Sequence, residues 1–260
     1  MIRHQILLSS SYSEGTRICL DFTDSDYHVV KDAIDRVSKA YDGKRVSFSV
    51  HTIHTDSADW SSVVKKDPYF DDVHLVETVE EFVEKIQKDR YLDGVDVAKY
   101  ILSTQDCTHT RIQKLAYMCY ADYLCKTKEQ LFKDKIYAFE YGPVVGSIYQ
   151  TLRGYSKEHP TKYIDDTKTF RRADISAQIK SRILFAEDGD EKLKSMEETL
   201  KKFDSVSTED LIKLTHMEKT PWSVATERRR SQDDDSYYTP IKDEDILEYH
   251  SNEEVSIQPQ

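Results

Sequence analysis

A chain of 260 residues with 38% hydrophobic and 33% charged side chains can bury one large core or two small ones beneath a well-solvated surface. Its formal net charge of -11 is spread along the chain: residues 1–93 carry 12 Lys+Arg against 18 Asp+Glu, and the remainder 25 against 30. Neither part offers the basic field that generic phosphate-backbone binding requires, so a nucleic-acid partner is not expected.

No apolar run reaches the length of a membrane span, and the apolar stretch within Met1–Leu8 is too short for a signal peptide. The expectation is a cytoplasmic protein with no membrane partner. Cys19, Cys107, Cys119 and Cys125 form no C-x-x-C pair and no zinc-like spacing with histidine, so neither a metal site nor a structural disulfide is expected. Cys119 falls on an apolar helix face and reads as a small core residue.

The first ninety or so residues alternate between strands and helices. His4–Ser10 and Thr16–Phe22 are strand-like, separated by a turn at Ser11–Gly15. Ser25–Tyr41 has helical period, with Val29, Val30, Ala33, Ile34, Val37 and Tyr41 on one face, and Asp42-Gly43 breaks it. Arg45–Thr55 alternates, Val46, Phe48, Val50 and Thr52 facing one way and Ser47, Ser49, His51 and Ile53 the other. A polar stretch leads to a short strand at Val73–Val76. Thr78 then opens a helix carrying Val79, Phe82, Val83 and Ile86. The order ββαββα predicts a small α+β domain over residues 1–93 with a helix-backed sheet.

Asp93-Gly94 marks a change to helical period. Val97, Tyr100 and Ile101 share a face; Thr108-His109-Thr110 supplies an N-cap; Ile112, Leu115, Ala116, Cys119 and Tyr123 form a buried stripe. An extended run, Lys135–Tyr141, is expected to turn at Gly142-Pro143 into a helix carrying Val145, Ile148, Tyr149 and Leu152, with proline in its first turn. Gly154–Arg172 is polar and irregular and reads as a loop or small hairpin.

Helices follow at Asp174–Ala186 and Asp190–Phe203. Ser207 and Asp210, spaced as in a capping box, open a third through Leu211, Leu214 and Thr215. Thr220-Pro221-Trp222 starts another. Ile241–His250 is the last helix, and residues 251–260 read as a disordered polar tail. The fold class expected is therefore α+β, a small N-terminal α+β domain followed by a mainly helical domain over residues 94–250.

No common enzymatic or cofactor motif is present. With 7 glycines the chain lacks both G-x-x-x-x-G-K-[ST] and G-x-G-x-x-G, and no cofactor is expected. Asp21, Asp24 and Asp26 cluster without the Gly and Glu of a calcium loop and fit a turn plus a helix N-terminus. His51 and His54 lie on opposite faces of a strand. Arg228-Arg229-Arg230, followed by Asp233-Asp234-Asp235, reads as a solvated helix end. His216 ends an apolar helix six residues before Trp222, so imidazole and indole can sit together. Two roles stay open for it, steadying the helix C-terminus or acting in catalysis.

Four blocks in the second part recur together in one family. They are Thr110-Arg111-Ile112-Gln113-Lys114-Leu115-Ala116-Tyr117; Ala138-Phe139-Glu140-Tyr141-Gly142-Pro143-Val144-Val145; Leu211-Ile212-Lys213-Leu214-Thr215-His216; and Pro221-Trp222 with Ala225. With these blocks, residues 95–250 resemble the Panacea (SocA-like antitoxin) domain of bacterial and phage toxin–antitoxin systems. Phe139-Glu140 departs from the pattern, which often has tryptophan and a polar residue there.

The resemblance implies a helical domain that binds and neutralises a toxin protein, and in at least one member delivers it to a protease. The motif or partner-binding residues it points to are Lys114, Tyr117, Tyr141, Gly142, Pro143, Val144, His216 and Trp222. The N-terminal domain lies outside the resemblance; toxin specificity, homo-oligomerisation and partner sensing all remain open to it. The expected protein is a non-enzymatic antitoxin. The alternatives are a protease adaptor, a phage or host regulatory protein sharing the domain, and a hydrolase or transferase using His216.

Overall fold

The computed structural model describes residues 1–12, 15–41, 46, 48–153, 169–170, 176–231 and 238–254. The chain divides into two compact units, Met1–Tyr91 with Leu184–Gly189, and Leu92–Ile183 with Asp190–Gln260.

The first unit contains β1 (Ile2–Ser11), β2 (Thr16–Thr23), α1 (Tyr27–Lys39), β3 (Ser49–Thr55), α2 (Trp60–Lys66), a 3-10 turn at Pro68–Phe70, β4 (Val73–Leu75) and α3 (Val79–Lys88). The sheet order is β3-β1-β2-β4, with β1 antiparallel to both neighbours and β2 parallel to β4. Leu7, Ile18 and Leu20 pack with Val30, Ala33 and Val37 of α1 and Phe82 and Ile86 of α3. Ile6, Leu8 and Cys19 point the other way and pack with Val63 of α2, Phe70 and Val73. Both faces of the central strands are therefore covered, which is why Ile6, Leu7 and Leu8 stand consecutively in β1 instead of alternating with polar residues.

The sequence reading placed no helix between β3 and β4. Instead α2 forms there, with Val63 fully buried and Trp60 edge-on to Phe70 at 5.9 Å. Seven residues with so few apolar positions carry too little period to announce a helix. The acidic cluster has structural partners: Asp21 bonds buried His4 at 2.6 Å, Asp24 accepts the Arg3 amide at 2.8 Å, and Asp26 caps α1 through the His28 amide at 2.8 Å. The Asp42-Gly43 break lies outside the described residues, as do Ser13 and Glu14 of the first turn.

The second unit follows the order α4 (Gly94–Thr104), β5 (Cys107–Thr108), α5 (His109–Thr127), β6 (Ile136–Phe139), β7 (Gly142–Val145) and α6 (Gly146–Arg153). It continues with β8 (Thr169–Phe170), α7 (Ser176–Phe185), α8 (Gly189–Lys202), α9 (Thr208–Thr215), α10 (Pro221–Ser231), β9 (Pro240–Ile241), α11 (Asp243–Tyr249) and α12 (Ser251–Glu254); the ends of α7 and the start of α8 fall in the Leu184–Gly189 segment. Helix α5 is the axis. It is buried on every side, from Ile112 to Leu124, and packs against α4, α6, α9, α11 and β7. Its buried polar residues, Gln113 and Lys114 among them, therefore need partners inside the core. Thr108 caps it through the Arg111 amide, and Ser207 caps α9 through the Asp210 amide.

Three expectations are corrected. Gly142-Pro143 does not turn directly into a helix: Gly142–Val145 is a strand antiparallel to β6, and α6 begins at Gly146. Proline fits because β7 is the edge of the order β7-β6-β9 among the described residues, and its partner Ala138 donates its amide away from it, to Thr239 O at 2.8 Å. Ile241 pairs with Ile136 as strand, so the last long helix starts at Asp243. Within the expected tail, Ser251–Glu254 is helical and Glu253 is 1% exposed, while residues 255–260 lie outside the described residues. Most of the Gly154–Arg172 stretch also lies outside them; Thr169–Phe170 pairs with β5.

Candidate functional site

Three of the four sequence blocks, far apart along the chain, meet at Gly142, and the fourth reaches the same hairpin through Trp222. Its φ is +95°, in the left-handed region that glycine occupies freely. A Cβ built there would lie 2.7 Å from Lys114 Nζ, 2.8 Å from Thr215 Oγ1 and 3.1 Å from His216 Cε1. Helix α5, the β6–β7 hairpin and the end of α9 thus converge within van der Waals contact of one backbone position.

Hydrogen bonds fix this convergence. Lys114, 1% exposed, donates through Nζ to Pro143 O at 3.1 Å. Gln113, its neighbour on α5, accepts the Val145 amide at 2.8 Å. The amide of Gly146 donates to Lys135 O at 3.0 Å, so the Val145 and Gly146 amides both have partners, one on α5 and one just before β6, and do not form a free helix end. His216 caps the C-terminus of α9. Its Nδ1 faces Ile212 O at 2.7 Å and its Nε2 faces Glu140 O at 3.0 Å. Carbonyls only accept, so a neutral ring donates to one of the two. Trp222 Nε1 donates to Phe139 O at 2.7 Å, and the indole lies 4.0 Å from the His216 ring, centroid to centroid.

The structure therefore brings together Lys114, Gly142, Pro143, His216 and Trp222. Tyr141 sits at the tip of the hairpin, 49% exposed, and Val144 is buried in β7. Tyr117 belongs elsewhere: its hydroxyl donates to Glu253 at 3.0 Å in a second buried cluster. There His250 Nε2 meets Asp122 at 2.8 Å, His250 Nδ1 meets Glu253 at 2.6 Å, and Thr199 donates to Asp122 at 2.8 Å.

Burial opposes charge on His250, yet its bonds to Asp122 and Glu253 raise its pKa to about 9. Burial pushes the Asp122 carboxyl up, but the His250 bond and charge outweigh it and hold the group below its usual range. Burial raises Glu253 against the pull of His250. Sequence reasoning missed this cluster, although His250 and Glu253 stand at helical i, i+3 spacing. It also passed over Gln113 and Thr215, which look like ordinary polar helix positions.

The four cysteines are free thiols. Burial pushes Cys19 up to about 12 and Cys107 up to about 11, and raises Cys119 as well, so these three stay protonated and weakly nucleophilic. Among the described residues no group of three His, Cys, Asp or Glu could hold a metal ion, and no helix is long and apolar enough to cross a membrane. What the Gly142 constellation does is position: it fixes a hairpin whose tip exposes Tyr141.

No curated protein and no solved structure matches the chain. Residues 112–223, from the start of the α5 stripe through the hairpin and α9 to the first turn of α10, match the family model described as Antitoxin SocA-like, Panacea domain.

Proposed function

We propose that this chain is a cytoplasmic antitoxin that neutralises a cognate toxin protein by direct protein–protein binding, without catalysis, and that its N-terminal unit sets which partner is bound. The observation that carries this reading is the match of residues 112–223 to the SocA-like antitoxin family. The geometry is consistent with a binding module. Lys114 Nζ, His216 Nε2 and Trp222 Nε1 each face a backbone carbonyl of one hairpin, as supports for a presented surface do. Aromatic side chains on such a rigid element make good interface anchors.

Co-expression with each neighbouring gene product tests the reading, scored by growth and co-purification. The expected result is one product that is toxic alone, harmless with this chain, and recovered in complex with it. If every neighbour is harmless alone, or a toxic one is relieved without any complex, the proposal fails.

A further inference from the structure

The β6–β7 hairpin has a second face. Ile136, Ala138 and Val145 are buried in the core, whereas Tyr137, Phe139 and the preceding Lys135 line a pocket of about 350 Å³ together with Tyr149 of α6, Tyr238 and Lys133. That volume is at the low end of the roughly 300–1,000 Å³ typical of ligand pockets.

Four aromatic rings wall it. Tyr137 and Phe139 lie side by side, 6.3 Å apart and inclined by 36°. Tyr238 stands steeply to both at 5.4 Å, and Tyr149 stands steeply to Phe139 at 5.2 Å. A Cβ on Gly146 would come within 3.1 Å of Tyr137 Cε2, so glycine at the start of α6 lets that ring lie close.

The rim is charged in the opposite sense to the chain. Lys133 and Lys135 are both exposed, in a protein of net charge -11. Lys135 has no ion-pair partner among the described residues. Asp134, between them, turns its carboxylate inward to the Gly94 amide at 2.5 Å. An aromatic slot with two lysines at its mouth complements a ring next to a negative charge.

We propose that this pocket receives an aromatic side chain of the partner protein, presented beside an acidic residue that pairs with Lys133 or Lys135. The ring finds the same edge-to-face contacts that the four walls already make with one another. The lysines select the acidic flank and discriminate against basic segments. This rests on the antitoxin reading and names the chemistry of its docking point.

The test uses the full chain and the peptide acetyl-Glu-(5-fluoro-Trp)-Glu-amide, followed by the fluorine resonance. A saturable shift is expected, reversed by an excess of the unlabelled peptide acetyl-Glu-Trp-Glu-amide but not by the peptide in which alanine replaces tryptophan. Tyr137→Ala should weaken binding about tenfold or more. Because that change can loosen the hairpin, the exposed double variant Lys133→Glu/Lys135→Glu is measured beside it. This variant should melt normally, lose the acidic peptide, and gain one in which both glutamates are lysines.

No saturable shift, or an equal shift in the double variant, would overturn the proposal. A chain that binds the peptide but neutralises no neighbouring product keeps the pocket and loses the antitoxin reading. A chain that neutralises a toxin equally well with and without the double substitution loses the pocket alone.

Discussion

His216 and Trp222 hold adjacent carbonyl oxygens of one hairpin, Glu140 O at 3.0 Å and Phe139 O at 2.7 Å, while their rings lie 4.0 Å apart. The Thr-His…Pro-Trp pair of the sequence is therefore a two-pronged clamp, one prong from the end of α9 and one from the first turn of α10. Trp222→Phe keeps an aromatic ring there but removes the donor to Phe139 O, at a cost of about 1–3 kcal/mol. His216→Asn should also lower the melting temperature, because it loses the ring contact with Trp222 and the imidazole that spans Ile212 O and Glu140 O. Thermal unfolding beside a partner-binding assay checks both. Unchanged melting with complete loss of binding in His216→Asn would place His216 at the interface instead.

Lys114 is a lysine in a core, 1% exposed, with its Nζ donating to Pro143 O at 3.1 Å. Lys114→Met keeps the length of the side chain and removes the donor, leaving the Pro143 carbonyl short of a partner. The expected loss is about 1–3 kcal/mol in denaturant unfolding. A variant as stable as the parent would show that the lysine adds nothing to holding β7.

Much of this architecture is written locally. Thr78, Thr108 and Ser207 each cap a helix through an amide three residues on, a relation contained in four consecutive residues. Val30, Ala33 and Val37 of α1 and Phe82 and Ile86 of α3 are buried as helical period predicts. Val29, assigned to the same face of α1, is instead 50% exposed, and α5 is buried well beyond its predicted stripe. The hairpin is not written locally, because its identity depends on distant pairing. Pro143 tolerates a strand only because Ala138 bonds to Thr239, about a hundred residues on. The same holds for Ile241, which pairs with Ile136. Lys114, His216 and Trp222 could be listed from the family resemblance, but nothing in their spacing says that they meet at Gly142. The His250 cluster was illegible for a similar reason: its other half, Asp122, lies on α5.

Residues 1–91 and 92–260 should be separable, but not equally. The segment Leu184–Gly189 groups with the first unit, where Arg90 Nε meets Glu187 at 2.5 Å and the Glu187 amide donates to Arg90 O at 2.8 Å. Both side chains of the pair are nearly buried, 13% and 11% exposed. A fragment of residues 1–91 is therefore expected to fold with reduced stability, and Glu187→Ala in the full chain to destabilise by about 3–5 kcal/mol. Limited proteolysis and melting of the fragments test this. A fragment 1–91 as stable as it is in the full chain would assign no structural role to Leu184–Gly189.

The His250 cluster should make stability fall as pH rises. The folded pKa of His250, about 9, lies above its ordinary value of 6.5, so its contribution is complete below about pH 6.5 and is lost as pH passes through 9. The upward shift of Glu253 acts in the same direction. Asp122, shifted down, contributes above its ordinary range near 3.8 and loses that contribution only in acid. A shift of this size corresponds to an effect on the order of 3 kcal/mol. Denaturant unfolding should show a decline between pH 7 and 10 that His250→Gln flattens. An identical decline in that variant would remove the histidine from the explanation.

Gly142 and Pro143 are neighbours with different tolerances. Gly142 combines a positive φ of +95° with a site where a Cβ would sit 2.7 Å from Lys114 Nζ and 2.8 Å from Thr215 Oγ1. Backbone strain alone costs on the order of 1–3 kcal/mol for a residue with a Cβ, and the displaced Lys114 and Thr215 add to it. Pro143 contributes little beyond its carbonyl and its rigidity. Alanine keeps the carbonyl that Lys114 reaches, but its new amide would face away from the ladder at a buried position. Pro143→Ala should therefore cost roughly 1–3 kcal/mol, from that amide and from the freer unfolded chain, still less than the combined strain and displacement at Gly142. Gly142→Val is expected to abolish partner binding by displacing the hairpin, while Pro143→Ala retains most of it. Denaturant unfolding and a growth-rescue assay on both variants decide the matter: if Gly142→Val rescues growth as well as Pro143→Ala does, the convergence at Gly142 is not what holds the hairpin in place.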